Sequence, residues 1–531
     1  MINEKEHSFS LDEFILSSVL SHINLNLKIG DHGIQDILSC ANALSCCYNL
    51  QNLIIKSRIQ GMRDKNSINF ASAIAKCPKL KTAQIDFESK CINDEIVAAI
   101  GTHLGQTVSL QTLNLDFCRN QITLKGAIAL LTGLSNSTSL QNLIINLRYN
   151  KIEERLVGLI KIPKSNLSSL KISFNDNYSR GFGCFQLCSF LSNLSNLKYL
   201  ELNLGSNQIM FSEQKDLFSG LANLVNLQTL ELYLYKNQIG EIETINLFDS
   251  LSHCTLLQTL KVDLSQNSIK FKEERYIFSG LSKMVNLNNL DLDLSHNQIQ
   301  VQGTYDLFST LAQCNKLQTL KLNLKSNSIR FYGEKDKFSG LANLKNLLSL
   351  DLDLQSNDIQ VQGMMAQFSF LASCTLLQTF KVNLNSCQYT ENKKFGYRDY
   401  RPQQTQNKIN DQYASIMSNT LPKCLNLSTL ELYLESPNID FEWLQGLFLG
   451  VSKCKKIKKF IINQGNNHSK IRKEEIILLA LMLKNCSYLS YLQFNIRFTY
   501  GDGMFDSLYP KVLKFKRLVY LELYFEKKIF F

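Results

Sequence analysis

The chain has 531 residues, 44% of them hydrophobic and 19% charged, with 57 Lys and Arg against 46 Asp and Glu. That balance excludes a disordered or low-complexity polypeptide and fits a folded chain with several cores' worth of apolar residues. The longest wholly apolar run, Ile476–Leu483, falls far short of the ~20 residues that cross a bilayer, and the acidic start of the chain (Glu4, Glu6, Asp12, Glu13) is unlike a secretion signal.

Residues 1–19 form the first element. The stretch SFSLDEFILSSV predicts a short amphipathic helical cap with Ser10 or Asp12 near its start. A repeat then takes over. Its first apolar residue falls at 20, 50, 80, 110, 140, 167, 197, 227, 257, 287, 317, 347 and 377, and after a longer gap at 427, 457, 489 and 518, seventeen units in all. The central copies read L-x-x-L-x-L-x-L-x-x-N-x-I, as in Leu227 to Ile239, and Asn207, Asn237, Asn267, Asn297, Asn327 and Asn357 recur every 30 residues. Leu230, Leu232 and Leu234 alternate as on a strand with one buried face. Phe218, Leu221 and Leu224 mark the apolar side of a short helix. One such unit cannot bury both faces, so neighbours must stack, and seventeen strands at ~4.8 Å spacing lay down a parallel sheet roughly 80 Å long. The expected organisation is a cap over 1–19, repeats one to thirteen over 20–388, an inserted loop over 389–412 and repeats fourteen to seventeen over 413–531.

The L-x-L-x-x-N core of each unit resembles the leucine-rich repeat superfamily, and the ~30-residue period with an outer helix is most similar to its ribonuclease-inhibitor-like class. Alternate units match best: CTLLQTLKVDL, CNKLQTLKLNL and CTLLQTFKVNL begin at 254, 314 and 374, while NLNNLDLDL and NLLSLDLDL begin at 286 and 346. The resemblance implies an α/β solenoid, or horseshoe, with strands inside and helices outside. The strand segment carries one extra L-x relative to the family pattern, so no curvature is carried over.

The repeated Asn is expected to satisfy backbone groups where the chain leaves the sheet, since an amide both donates and accepts. Cys47, Cys77, Cys254, Cys314, Cys374, Cys424, Cys454 and Cys486 share a slot that holds Leu224, Met284 and Leu344 elsewhere, which marks it as a buried apolar site. Free thiols in such number fit a reducing, cytoplasmic setting. The sequence has no paired C-x-x-C, H-E-x-x-H, P-loop, G-x-S-x-G or kinase signature, so neither an enzyme, a metal nor a cofactor is expected. The pairs Gly181/Gly183 and Gly501/Gly503 read as turns.

Residues between the buried leucines face the open side of the sheet. One column runs Glu201, Glu231, Lys261, Asp291, Lys321, Asp351, Lys381; the next runs Asn203, Tyr233, Asp263, Asp293, Asn323, Asp353, Asn383; the third includes Gly205 and Tyr235. Alternating charge in the first column suits cross-strand pairing. Asp263, Asp291, Asp293, Asp351 and Asp353 could instead meet a basic protein, with Glu231, Tyr233 and Tyr235 as anchors, because exposed aromatics combine contact area with a polar tip. The inserted loop contributes Tyr397, Arg398, Tyr400 and Arg401 as further protein-binding candidates. Residues 390–531 hold 22 Lys and Arg against 13 Asp and Glu, with the densest run at Lys453, Lys455, Lys456, Lys458 and Lys459. No nucleic-acid-binding module accompanies that run, so nucleic acid is not the expected partner. The sequence ends on an aromatic strand without a polar cap, which predicts a missing segment, a dimer interface or an edge covered by another chain. The expected function is a non-catalytic scaffold that binds proteins through its concave face and inserted loop. The resemblance also admits a GTPase-activating regulator, or the sensing arm of a longer kinase-like protein.

Overall fold

In the computed structural model the described residues are 9–29, 34–57, 65–87, 92–152, 165–177, 182–209, 218–271, 276–331, 339–359, 368–385, 416–434, 441–464, 473–495 and 517–524. They form two compact units, Met1–Asn267 and Ser268–Phe531. Each is an α/β leucine-rich repeat solenoid, with one open parallel sheet backed by helices and 3-10 turns.

In the first unit the strands are β1 (Phe9–Ser10), β2 (Asn24–Ile29), β3 (Asn52–Ser57), β4 (Thr82–Phe87), β5 (Thr112–Asp116), β6 (Asn142–Asn146), β7 (Ser169–Ser173), β8 (Tyr199–Asn203), β9 (Thr229–Tyr233) and β10 (Thr259–Asp263). Consecutive strands pair in parallel from β1 to β10. In register, Leu200 faces Leu230 and Leu230 faces Leu260, so the leucines make continuous buried rows. The opening helix Leu11–Ile15 starts on a capping box: the Ser10 hydroxyl accepts from the Glu13 amide, and the Glu13 carboxylate accepts from the Ser10 amide. Helix Asp94–Gly105 starts on Asn93, whose side chain accepts from the Ile96 amide at 3.1 Å, and carries Asp94 and Glu95 in its first turn. Its glycines, Gly101 and Gly105, face Gly133 and Leu130 of the neighbouring helix Leu124–Ser135 across a backbone-to-backbone contact.

The second unit contains β11 (Asn289–Asp293), β12 (Thr319–Asn323), β13 (Arg330–Phe331), β14 (Ser349–Asp353), β15 (Asp358–Ile359), β16 (Thr379–Asn383), β17 (Thr429–Tyr433), β18 (Lys459–Asn463), β19 (Tyr491–Asn495) and β20 (Tyr520–Tyr524). Its main ladder is parallel from β11 through β12, β14, β16, β17, β18 and β19 to β20, with β13 and β15 paired separately. Strands β16 and β17 pair directly, so the ladder continues from Thr379–Asn383 to Thr429–Tyr433 across a longer step in sequence than between other neighbours.

The backing layer differs from the sequence expectation in one respect. The stretch around Phe218, Leu221 and Leu224 forms a 3-10 helix, Ser219–Asn223, as do Ser279–Lys283 and Ser339–Asn343. A spacing of three matches the 3-10 turn, whereas Thr244, Leu247, Phe248 and Leu251 step by three and four on the α-helix Glu241–Leu251. The 60-residue alternation is thus visible in the fold, with α-helices Glu241–Leu251 and Gln300–Leu311 interleaved with 3-10 turns.

Two side-chain ladders join successive repeats. The Asn237 amide donates to the carbonyls of Leu204 (3.0 Å), Leu234 (2.9 Å) and Tyr235 (3.3 Å), and its carbonyl accepts from the amides of Asn207 (3.0 Å) and Ile209 (3.1 Å). Asn120, Asn150, Asn177 and Asn207 repeat this in the first unit, as do Asn327 and Asn357 in the second. The residue before each such Asn takes a left-handed backbone, as at Lys236 (φ 51°) and Ser326 (φ 53°), whose own N–H groups donate to Ser265 and Gln355 of the next repeat. The second ladder is sulfur. The thiols of Cys77, Cys254, Cys314, Cys424, Cys454 and Cys486 are buried, and each donates to a helix-layer carbonyl in the preceding repeat, at 3.2–3.5 Å. Burial pushes Cys254 and Cys314 up to about 11 and Cys424 and Cys486 up to about 12, so they stay protonated and inert at neutral pH.

One carboxyl sits badly in the core. Asp306, on helix Gln300–Leu311, is 4% exposed; its Oδ2 accepts from the Phe278 amide at 3.4 Å and its Oδ1 has no partner. Burial raises it to about 6, against the backbone hydrogen bonds that lower it. A raised carboxyl weakens the fold when ionised, so its penalty is full above about pH 6, shrinks as pH falls towards 4, and vanishes below the ordinary Asp range. Asp306→Asn should therefore unfold at higher urea than the parent at pH 8 and at the same urea at pH 4. Equal midpoints at pH 8 would refute this.

Candidate functional site

On the open face of the first unit, the leading column of β2 to β6 holds Asn24, Asn52, Thr82, Thr112 and Asn142, neutral polar side chains that bond along it, while Lys28, Lys56, Asp86 and Asp116 stand at the far ends of β2 to β5. Asn52 donates to Asn24 (2.6 Å), Thr82 to Asn52 (2.6 Å) and Asn142 to Thr112 (3.2 Å). From β7 onward the character changes to aromatic and charged. The Tyr199 hydroxyl contacts both Glu201 and Glu231 at 3.0 Å, and the Tyr233 hydroxyl donates to Glu231 at 2.9 Å. Lys171 pairs with Glu201 at 2.7 Å and lies 5.2 Å over the Tyr199 ring; Lys261 lies 4.9 Å over the Tyr233 ring. Burial, then the two carboxylates, holds Tyr199 well above the usual phenol range, while the hydrogen bond to Glu201 raises Lys171. Every ring here is held from two sides before any partner arrives, which lowers the ordering cost of an encounter.

Tyr235 lies flat against Gly205, where any side chain would collide with its ring. Burial raises its phenol too. At the end of β5 to β7, Tyr149 is 42% exposed, with Arg148 4.5 Å and Arg119 5.6 Å from its ring, and Arg148 bonds Asp176 at 2.9 Å. The cluster is not visible in the strand columns because Arg119, Tyr149 and Asp176 sit in the slot before the ladder Asn, outside those columns.

The aspartates divide into two groups. Asp263, Asp293 and Asp353 each accept the backbone N–H two residues on, at Ser265 (2.9 Å), Ser295 (2.8 Å) and Gln355 (2.9 Å). Asn203, Asn323 and Asn383 do the same, so every Asn and Asp of this column from 203 to 383 caps its strand end as an Asx turn, Tyr233 standing apart. Asp293 and Asp353 also accept from Asn323 and Asn383. The signal was legible in the sequence, since that column is almost all Asn or Asp. Asp291 instead pairs with Lys321 at 3.4 Å, and burial raises Asp351 against the pull of Lys381 and Lys321. Further along the second unit, buried Glu431 is bridged by Lys459 (2.8 Å) and Lys381 (3.4 Å), and the rings of Tyr491 and Tyr520 stack 4.2 Å apart. Tyr397, Arg398, Tyr400 and Arg401 lie outside the described residues, as do Gly181, Gly501 and Gly503.

At the other end of the first unit's strands, Asn166, Asn196 and Asn226 donate to carbonyls of the preceding repeat. With Thr138, Ser139 and Gln141 they line a shallow groove of about 680 Å³ whose lone cation is Lys198. Among the described residues no group of three or more His, Cys, Asp or Glu is placed to hold a metal ion, and no helix is long and apolar enough to cross a membrane.

No protein-family model matches the chain. No curated protein matches it either. Among solved structures it is similar to internalin C2 of Listeria monocytogenes, at 21% identity over 56% of this chain and 85% of that one, with a TM-score of 0.27. At that score the likeness carries no weight, and the leucine-rich repeat architecture rests on the strand register and Asn ladder themselves.

Proposed function

We propose that the chain is a non-catalytic protein-interaction scaffold of ribonuclease-inhibitor-like type, engaging one or more proteins through the open strand face and the 389–412 segment. The carrying observation is the pre-formed raft of Tyr199, Glu201, Glu231, Tyr233 and Lys261, in which two tyrosine hydroxyls converge on Glu231. Tyrosine is among the residues that dominate binding energy at protein interfaces, and these are held rigid before contact. The buried free thiols support a reducing, cytoplasmic setting.

The test is cross-linking mass spectrometry on the native protein, followed by affinity measurement with each partner it identifies. Lys171 and Lys261 should carry the cross-links, and Tyr233→Ala should weaken binding at least about tenfold, as expected for a central anchor. Unchanged affinity in both Tyr233→Ala and Glu231→Lys would remove the face from consideration.

A further inference from the structure

The turns that lead from the backing layer into β17, β18, β19 and β20 form one edge of the second unit, and their chemistry is one-sided. Residues 452–458 carry Lys453, Lys455, Lys456 and Lys458; the next turn carries Lys484, and the one before β20 carries Arg517. All six are exposed. Among the described residues none of the six makes an ion pair, and the turns 421–428, 452–458, 484–490 and 517–519 contain no Asp or Glu. Lys456 bonds the neutral Asn426 at 2.6 Å, and Arg517 lies 4.7 Å over the ring of Tyr488. Strand spacing of ~4.8 Å sets the repeats side by side, so these cations form a continuous row.

Apolar side chains stand out from the same row. Leu425 is 68% exposed, Val519 90% and Tyr488 47%. Exposed apolar residues occur in the same turns of other repeats, as at Val108, Val225 and Val285, so what distinguishes this edge is their coincidence with the lysine row. The pairing of these exposed lysines with projecting Leu, Val and Tyr has a physical complement: a surface with anionic headgroups over an apolar interior. A nucleic acid fits less well. Single-strand binders stack bases on several free aromatic faces, whereas Tyr488 is covered by Arg517 and its neighbours are aliphatic. The corresponding turns of the first unit, from Thr138 to Asn226, are lined by Asn, Ser, Thr and Gln with Lys198 among them, and Lys79 and Lys316 fill the slot of Lys456 elsewhere, so what sets this edge apart is the density of its lysines.

We infer that this edge docks the protein on an anionic lipid bilayer, with the lysines at the headgroups and Leu425, Tyr488 and Val519 seated among them. The docking is peripheral and separate from the open strand face.

The experiment is co-sedimentation of the full chain with lipid vesicles. Vesicles of phosphatidylcholine with about 30% phosphatidylserine should bind it at roughly 0.1 M salt, and pure phosphatidylcholine at least about tenfold more weakly. Lys453→Glu with Lys456→Glu should lower binding more than about tenfold, since each cation contributes separately to attraction. Leu425→Ser with Val519→Ser should lower it several-fold while leaving the salt dependence unchanged. Tyr233→Ala, on the other unit's face, should leave it intact. Equal binding to both vesicles, no binding, loss of binding in Tyr233→Ala, or tighter binding to poly-uridine or polyglutamate than to the anionic vesicles would each overturn the assignment.

Discussion

Asn237→Ala should destabilise the first unit by at least about 3 kcal/mol. The side chain is 6% exposed and makes five hydrogen bonds, three donated to the carbonyls of Leu204, Leu234 and Tyr235 and two accepted from the amides of Asn207 and Ile209. Truncation leaves those backbone groups buried without a partner, and each such group costs about 1–3 kcal/mol. Some of the carbonyls have a second lone pair in use, so the sum falls below five full penalties. Hydrogen exchange gives the sharper readout, because the amides of Asn207 and Ile209 should lose protection first. A loss under about 1 kcal/mol, with both amides still protected, would show that the ladder is decorative.

Gly105→Ala should also be costly, against its local propensity. In a helix interior Ala is better than Gly by about 1 kcal/mol, so the helix Asp94–Gly105 alone would gain. The neighbouring helix decides otherwise. A Cβ on Gly105 would run into the carbonyl oxygen of Gly133, and one on Gly133 would come within 2.6 Å of the Gly101 carbonyl carbon and 2.7 Å of the Thr102 nitrogen. Both obstacles are backbone, so no rotamer change relieves them. We expect a net loss of about 2–3 kcal/mol, read as a lower urea midpoint. A variant that unfolds at or above the parent's midpoint would mean that the helices separate freely.

The repeat architecture was legible because each strand shows only one face to the core. Leu230, Leu232 and Leu234 must alternate to bury, and a fixed register repeats that alternation every 30 residues. The backing layer was less legible. An added Cβ on Gly220 would collide with the Cys188 carbonyl, so the packing of its 3-10 turn depends on a contact between repeats rather than within one. The cysteines were correctly read as buried, but their role as donors to the preceding repeat depends on where a helix-layer carbonyl falls, which no composition encodes.

The open face was legible in part. Columns of side chains followed from period two, yet grouping the aspartates by charge merged one that caps its own strand, such as Asp293, with one that reaches across, such as Asp291, although only the first lies in the Asn-and-Asp column. Both are acidic residues between leucines. What separates them is position: Asp293 ends its strand, where a free N–H lies two residues on, and Asp291 has a lysine in register beside it.

The left-handed residue ahead of a ladder Asn, as at Lys236, ties its turn forward, through its own N–H, while the Asn ties the same turn backward. Within each unit these bonds, like those of the sheet, run along the stacking direction and across the strands. Tension applied along that direction loads them a single repeat at a time, in the geometry of a zipper and not of a shear joint. Such a unit yields by peeling from an end, one turn after another, and can re-form in the reverse order when the load is released.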